Sequence, residues 1–246
     1  LRRQAEPDAA VADGFGAAVA RRAAGIPFAY AVGRVGFRTL DLAVDRRALI
    51  PRPETEGLVE LVLRTVTNRE TANGKRGVVA DVGTGSGCIA LSLAVEGSFE
   101  RVVAVERSAE AAALARENTV RIRPATPVEI REGDLLAPLA GARYRAIVSN
   151  PPYLSATEHA ELDRSVADYE PREALVSGSD GLDATRAILA GAAALLEPDG
   201  VLALEIDERR ADAVRSLARA HGWAALRIHD DLFGRPRYAL AFPREG

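Results

Sequence analysis

From Val78 to the C-terminus, short apolar runs alternate with longer stretches of helical periodicity, and this alternation constrains the fold more than any other feature of the chain. The run Val78-Val79-Ala80-Asp81-Val82 is too short for a helix and too continuous for a half-exposed strand. It suits a strand buried on both faces. Further strands are predicted over 101–106, 128–131, 146–149 and 201–206, and two late ones over 223–228 and 238–242. Helices over 88–95, 109–118, 185–196 and 209–220 fall between or after them. A βαβα order of this kind gives an α/β fold, an open and mostly parallel sheet covered on both faces.

Upstream the pattern is different. Residues 1–30 read as helical, with Val11, Phe15 and Val19 spaced along the run and a breaker at Gly25-Ile26-Pro27. Val35, Phe37, Leu40, Leu42 and Val44 alternate as a β-hairpin over 34–45. Pro51-Arg52-Pro53-Glu54-Thr55-Glu56 places prolines and acids just before the apolar run Leu58, Val59, Leu61, Val62, which marks a helix start. The polar, Gly-containing stretch 68–77 reads as a linker. The chain is therefore divided into 1–76, a helical remnant with hairpin and linking helix, and 77–246, the α/β domain.

The first strand of that domain runs into Asp81-Val82-Gly83-Thr84-Gly85-Ser86-Gly87. A loop between strand and helix must turn sharply and let backbone approach a ligand, which glycine permits. Ligands of open α/β sheets bind beyond the carboxyl ends of the strands. Glu106 ends the next strand, 19 residues after Gly87, where a carboxylate can accept both hydroxyls of a ribose. The spacing G-x-G-x-G departs from the G-x-G-x-x-G of dinucleotide binders. Asp81 would crowd a pyrophosphate but suits an amino group. Asp134, after the third strand, reads equally as a turn residue and as an adenine contact.

Asn150-Pro151-Pro152-Tyr153 directly follows the fourth strand. The nitrogen of a planar –NH2 group is a poor nucleophile because its lone pair is delocalised. Two acceptors, one per N–H, can hold it and favour a pyramidal nitrogen. The Asn150 side-chain oxygen can be one and the Pro151 carbonyl the other. Consecutive prolines fix these groups in a rigid, non-helical arrangement. Tyr153 offers a flat face to the planar group. Alignment and electrostatics then carry the reaction without a strong base.

At these residues the chain resembles the class I methyltransferases, and more closely the HemK-type peptide chain release factor glutamine methyltransferases. The matching segments are residues 21–27, Leu49-Ile50-Pro51-Arg52-Pro53-Glu54-Thr55-Glu56, Asp81 through Gly87 and Asn150 through Tyr153. Glu170-Pro171, Ala174-Leu175, Gly178 and Asp180-Gly181-Leu182 also match. The four-residue motif is shared with DNA amine methyltransferases, whereas residues 51–56 are more specific to the glutamine enzymes. The resemblance implies a Rossmann-like, seven-stranded sheet with its last strand antiparallel. It implies S-adenosyl-L-methionine as cofactor, leaving as S-adenosyl-L-homocysteine, with contacts at Asp81, Val82, Gly83, Thr84, Gly85, Glu106, Asp134, Leu135 and Asn150. It places the glutamine amide of a release factor's Gly-Gly-Gln loop on Asn150, Pro151, Pro152 and Tyr153, and residues 51–56 along the cofactor side of the cleft. Two departures stand out. The family begins with a helical bundle of which only the last part is recognisable here, and Asp207 follows Glu205-Ile206 where the family often has glycine.

Composition bears on the alternatives. A net charge of −3 and a pI near 5.8 give no basic surplus for gripping long nucleic acid. Direct nucleic-acid binding is therefore not expected, and an exocyclic-amine methyltransferase acting on DNA or RNA is the second reading. A non-catalytic cofactor-binding module is the third. One cysteine, Cys88, excludes an internal disulfide. No apolar run reaches membrane-spanning length and no signal pattern opens the chain. A cytoplasmic monomer is the expectation. His159, His221 and His229 lack metal-ligand spacing, and Trp223 is expected in the core.

Overall fold

A computed structural model describes residues 8–66 and 77–244. Most of the predicted linker at 68–77 lies outside the described residues, as do residues 1–7 of the predicted first helix. Helix α1 (Ala9–Ala23) and the short α2 (Phe28–Val32) are split at the predicted breaker, where Gly25 has φ +90°. Strands β1 (Arg34–Phe37) and β2 (Leu40–Ala43) pair antiparallel as the hairpin. Helix α3 (Pro53–Val66) starts on its proline, whose missing N–H costs nothing at a helix's first position, and carries Glu54 and Glu56 in its first turn.

The alternating region follows: β3 (Val78–Val82), α4 (Cys88–Glu96), β4 (Arg101–Glu106), α5 (Ala109–Ile122), β5 (Val128–Glu132) and β6 (Tyr144–Ser149). Two short helices, α6 (Ala156–Ala160) and α7 (Arg164–Ala167), precede α8 (Asp183–Gly191). The chain ends with β7 (Leu196–Glu205), α9 (Ala211–Ala220), β8 (Ala225–Asp230) and β9 (Pro236–Phe242). The seven strands from β3 onward form one sheet in the order β5-β4-β3-β6-β7-β9-β8. All pairings are parallel except those of β9, which runs antiparallel to both neighbours. The sheet is therefore α/β with its last strand antiparallel, as the sequence resemblance implied. The strand order reverses between β3 and β6, and a crevice opens beyond the carboxyl ends of strands at such a point.

Side chains alternate across the sheet with period two. Val79, Val102, Ala104, Ala146 and Val148 enter one core; Ala80, Val103, Val105 and Ile147 enter the other. The first core also takes Phe37, Leu40 and Leu42 from the hairpin and Leu58, Val59, Val62 and Val66 from α3. The hairpin and α3 thus pack onto the sheet without a break in the core. Asn118, fully buried on α5, ties them together. Its side chain accepts from the Ala43 N–H at 2.8 Å and donates to the Ala43 and Ser86 carbonyls at 3.0 and 2.9 Å.

Two predicted elements differ in extent. The helix expected over 185–196 stops at Gly191. A 3-10 turn (Ala192–Leu195) follows, and Leu196 already pairs with Tyr144 of β6. Strand pairing across the sheet outweighs the helical propensity of the alanines there. The strand expected from Trp223 begins at Ala225, because the Trp223 side chain is committed to the core and its Nε1–H donates to the Leu189 carbonyl at 2.9 Å.

Candidate active site

Gly83, Gly85 and Gly87 adopt φ of +74°, +56° and +87°, a region where side chains are strained, so the loop needs glycine for its backbone alone. A Cβ at Gly83 would meet nothing within 4 Å, so that face of the loop is open. The Gly83 and Thr84 N–H groups donate to the Val105 carbonyl at 2.9 and 3.0 Å and fasten the loop to β4. Glu106, at the end of β4, accepts from the Gly85 N–H through Oε2 and from the Ser108 N–H through Oε1, both at 2.9 Å. Each oxygen keeps a lone pair for a further donor. Ser149 Oγ donates to the Val82 carbonyl at 2.6 Å and locks the ends of β3 and β6 side by side.

These strand ends floor a cleft of about 670 Å³. Gly83, Gly85, Glu106, Asp134, Leu135, Asn150 and Pro152 all line it. Ala48 and Leu49 supply one wall, and Pro171, Ala174, Val176 and Gly178 another. The second wall is joined to the proline motif by backbone bonds, Leu154 N–H to Leu175 O and Ser177 N–H to Leu154 O, each 2.9 Å. Beyond β5 the backbone turns through Leu135 at φ +45°, and the Asp134 side chain is two-thirds exposed.

Asp81, Val82 and Thr84 do not line the cleft. Asp81 has no exposed surface. Its Oδ2 accepts from Thr84 Oγ1 at 2.5 Å and from the Ala90 N–H at 3.1 Å, while Oδ1 has no partner among the described residues. Burial pushes its carboxyl up to about 7, the nearby Glu106 charge adds to this, and the bonds from Thr84 and Ala90 oppose it. The sequence reading set Asp81 against an amino group, and in the structure Oδ1 is the oxygen that the loop leaves unpaired. The acid braces the loop from behind, because its side chain lies on the buried side of β3. Pro151 and Tyr153 stand beside the cleft and are not part of its lining. Burial, with Glu205 next, holds the Tyr153 hydroxyl at about 12, so it keeps its proton at neutral pH.

Residues 51–56 also depart from expectation. Residues 47–49 line the cleft where 51–56 do not, and Thr55 of that segment bonds to Asn150. Thr55 Oγ1 accepts from Asn150 Nδ2 at 3.1 Å and donates to Glu205 Oε2 at 2.7 Å. Arg52 pairs with the buried Glu170 at 2.5 Å, and Glu170 also accepts the Ile50 N–H at 3.2 Å. Asp207, the departure from the usual glycine, accepts from the Arg209 N–H at 2.8 Å and pairs with the Arg209 and Arg210 side chains. Glu205 was not singled out in the sequence. The available signal was an acid inside the apolar run 201–206, where burial demands a partner.

A methyltransferase small domain model matches residues 59–167. The release factor glutamine methyltransferase of Moorella thermoacetica is 44% identical over 96% of this chain and 82% of its own length. That of Xylella fastidiosa strain 9a5c is 44% identical over 94% and 82%. The chain belongs to the release factor glutamine methyltransferase family. Members are S-adenosyl-L-methionine-dependent methyltransferases, and this chain is an enzyme of that class. A crystal structure of a methyltransferase from Pyrococcus furiosus superimposes with a TM-score of 0.60 at 21% identity, covering 91% of this chain and 98% of that one, a likeness of fold. Of the two acids near the glycine loop, Glu106 lines the cleft and Asp81 is fully buried. Among the described residues no helix is long and apolar enough to cross a membrane.

Proposed function

We propose that this chain transfers a methyl group from S-adenosyl-L-methionine to the side-chain amide nitrogen of the glutamine in the Gly-Gly-Gln loop of a peptide chain release factor. The observation that carries this reading is the polarity of the Asn150 amide. One Nδ2 hydrogen is committed to Thr55 at 3.1 Å, which fixes the direction of the amide, and Oδ1, which takes no donor from the described residues, is the acceptor it offers at the cleft. An acceptor there suits a substrate N–H. The Pro151 carbonyl takes no donor from the described residues and is the second acceptor in this reading.

The cofactor fits the residues present. Glu106 retains acceptor capacity for ribose hydroxyls, the open face of Gly83 admits close approach, and Asp134 and Leu135 form the rim for the base. When bound, the cofactor supplies a methyl group activated on a sulfonium. The protein's part is to hold both amide hydrogens, fix the nitrogen's direction and keep Tyr153 neutral beside it. No residue of the motif serves as a strong base, and the proton leaves to solvent once the nitrogen is alkylated.

The decisive experiment co-expresses the chain with a release factor and weighs the Gly-Gly-Gln peptide. One added methyl, absent with Asn150→Ala and absent when the loop glutamine is alanine, is the expected result. Equal labelling of the glutamine and alanine loops removes the reading.

A further inference from the structure

An asparagine amide presents an acceptor on one side and two donors on the other, and a flip exchanges them. Only the acceptor suits a substrate that is itself an –NH2 donor. The orientation of Asn150 is therefore a functional variable, and something must set it.

The chain of bonds behind Asn150 does so. Glu205 ends β7, is 2% exposed, and accepts the Thr55 hydroxyl at 2.7 Å. An ionised carboxylate can only accept. The Thr55 hydrogen is thereby spent on Glu205, and its oxygen is left to accept from Asn150 Nδ2 at 3.1 Å. Thr55 is itself 2% exposed, so water does not compete at this junction. We infer that Glu205, acting through Thr55, is the positioning residue that sets which end of the Asn150 amide faces the substrate. The inference rests on the proposed amide methylation.

The same geometry makes the orientation reversible. A protonated Glu205 donates to Thr55 Oγ1, Thr55 then donates to Asn150 Oδ1, and the amide turns its –NH2 toward an –NH2 substrate. Glu205 titrates within reach of neutral pH. Burial pushes it up to about 7, against the Thr55 bond and the Arg237 and Arg52 charges, with Glu54 adding to the rise. Tyr153, Tyr238 and Cys88 also face it, and burial raises each to about 12, so none changes charge near 7. Asp207, two residues on, is held below its ordinary range by its bonds to Arg209 and by the Arg209 and Arg210 charges, against its burial.

Two measurements test this. The chain has four asparagines, Asn68, Asn73, Asn118 and Asn150, so selective 15N-asparagine labelling gives a spectrum simple enough to assign by Asn150→Ala. Between about pH 5.5 and 8.5 the Asn150 side-chain pair should shift with a midpoint near 7 and stay fixed in Glu205→Gln, whose carbonyl accepts without titrating. A pair that does not move, or moves identically in the variant, overturns the inference without any substrate being present. In kinetics, Thr55→Val should lower kcat about tenfold, while KM for the release factor and the cofactor Kd change less than about threefold, and Thr55→Ser should restore most of the rate. A Thr55→Val enzyme as fast as the parent, or one impaired in KM alone, also overturns it. If the parent protein methylates no release factor, the functional reading fails, and the titration still decides the relay.

Discussion

At the scale of single residues, the site depends on carboxylates held in very different surroundings. Glu106 is anchored by two backbone N–H groups and faces the cleft. Glu106→Ala should weaken cofactor binding about 10- to 100-fold by calorimetry, the loss of one or two charge-assisted hydrogen bonds. Glu205 is buried and pushed up to about 7 from its ordinary 4.5. A raised folded-state value means the native protein binds the proton more tightly than the unfolded chain. That stabilisation is complete below about 4.5 and is lost as pH rises through about 7. Glu205→Gln should therefore match the parent's thermal stability near pH 4 and exceed it near pH 8.5, by up to roughly 3 kcal/mol. A parent that is the more stable one at pH 8.5 contradicts the buried, ionised Glu205 on which the polarity of Asn150 depends.

Among the elements, α3 links fold to chemistry. Its apolar residues Leu58, Val59 and Val62 lie in the core, while Thr55, one turn earlier, reaches Asn150. Gly57 lies inside this helix, where glycine costs about 1 kcal/mol relative to alanine. The packing accounts for it: a Cβ there would collide with the Tyr238 side chain, whose hydroxyl donates to the Glu54 carbonyl at 2.6 Å. Gly57→Ala should lower stability by about 1–3 kcal/mol in denaturant titration, although propensity alone forecasts a gain. Because Thr55 rides on the same turn, methyl transfer should fall with it.

Across the whole molecule, distant stretches of chain meet at the cleft. Arg52 and Glu170, 118 residues apart, pair where the segment before α3 meets the segment before α8. The Glu170 side chain is 1% exposed and Arg52 is 33% exposed. Arg52→Ala leaves a buried carboxylate short of its cation. The expected loss is about 2 kcal/mol, below the usual range for fully buried pairs because Arg52 is partly solvated. Hydrogen exchange should show the loss concentrated in residues 154–177, the wall tied to the proline motif. Protection lost evenly over the sheet would contradict this placement.

The order of strands and helices, the glycine loop, Glu106 and the proline motif were all legible in the sequence, since period, turn chemistry and motif spacing are local properties. The linear pattern placed Gly83, Gly85, Glu106, Asp134, Leu135, Asn150 and Pro152 at strand ends, and parallel topology then brings strand ends to one edge. What only the tertiary structure decided was the direction each polar group faces. Asp81 is wholly buried behind the glycine loop, and residues 51–56 lie outside the cleft lining, with Thr55 bonded to Asn150. Thr55, Asn150 and Glu205 lie on three segments 150 residues apart at the extremes, and no local pattern encodes their meeting. Hydrogen-bond polarity depends on which donors and acceptors share a buried volume, and packing sets that volume.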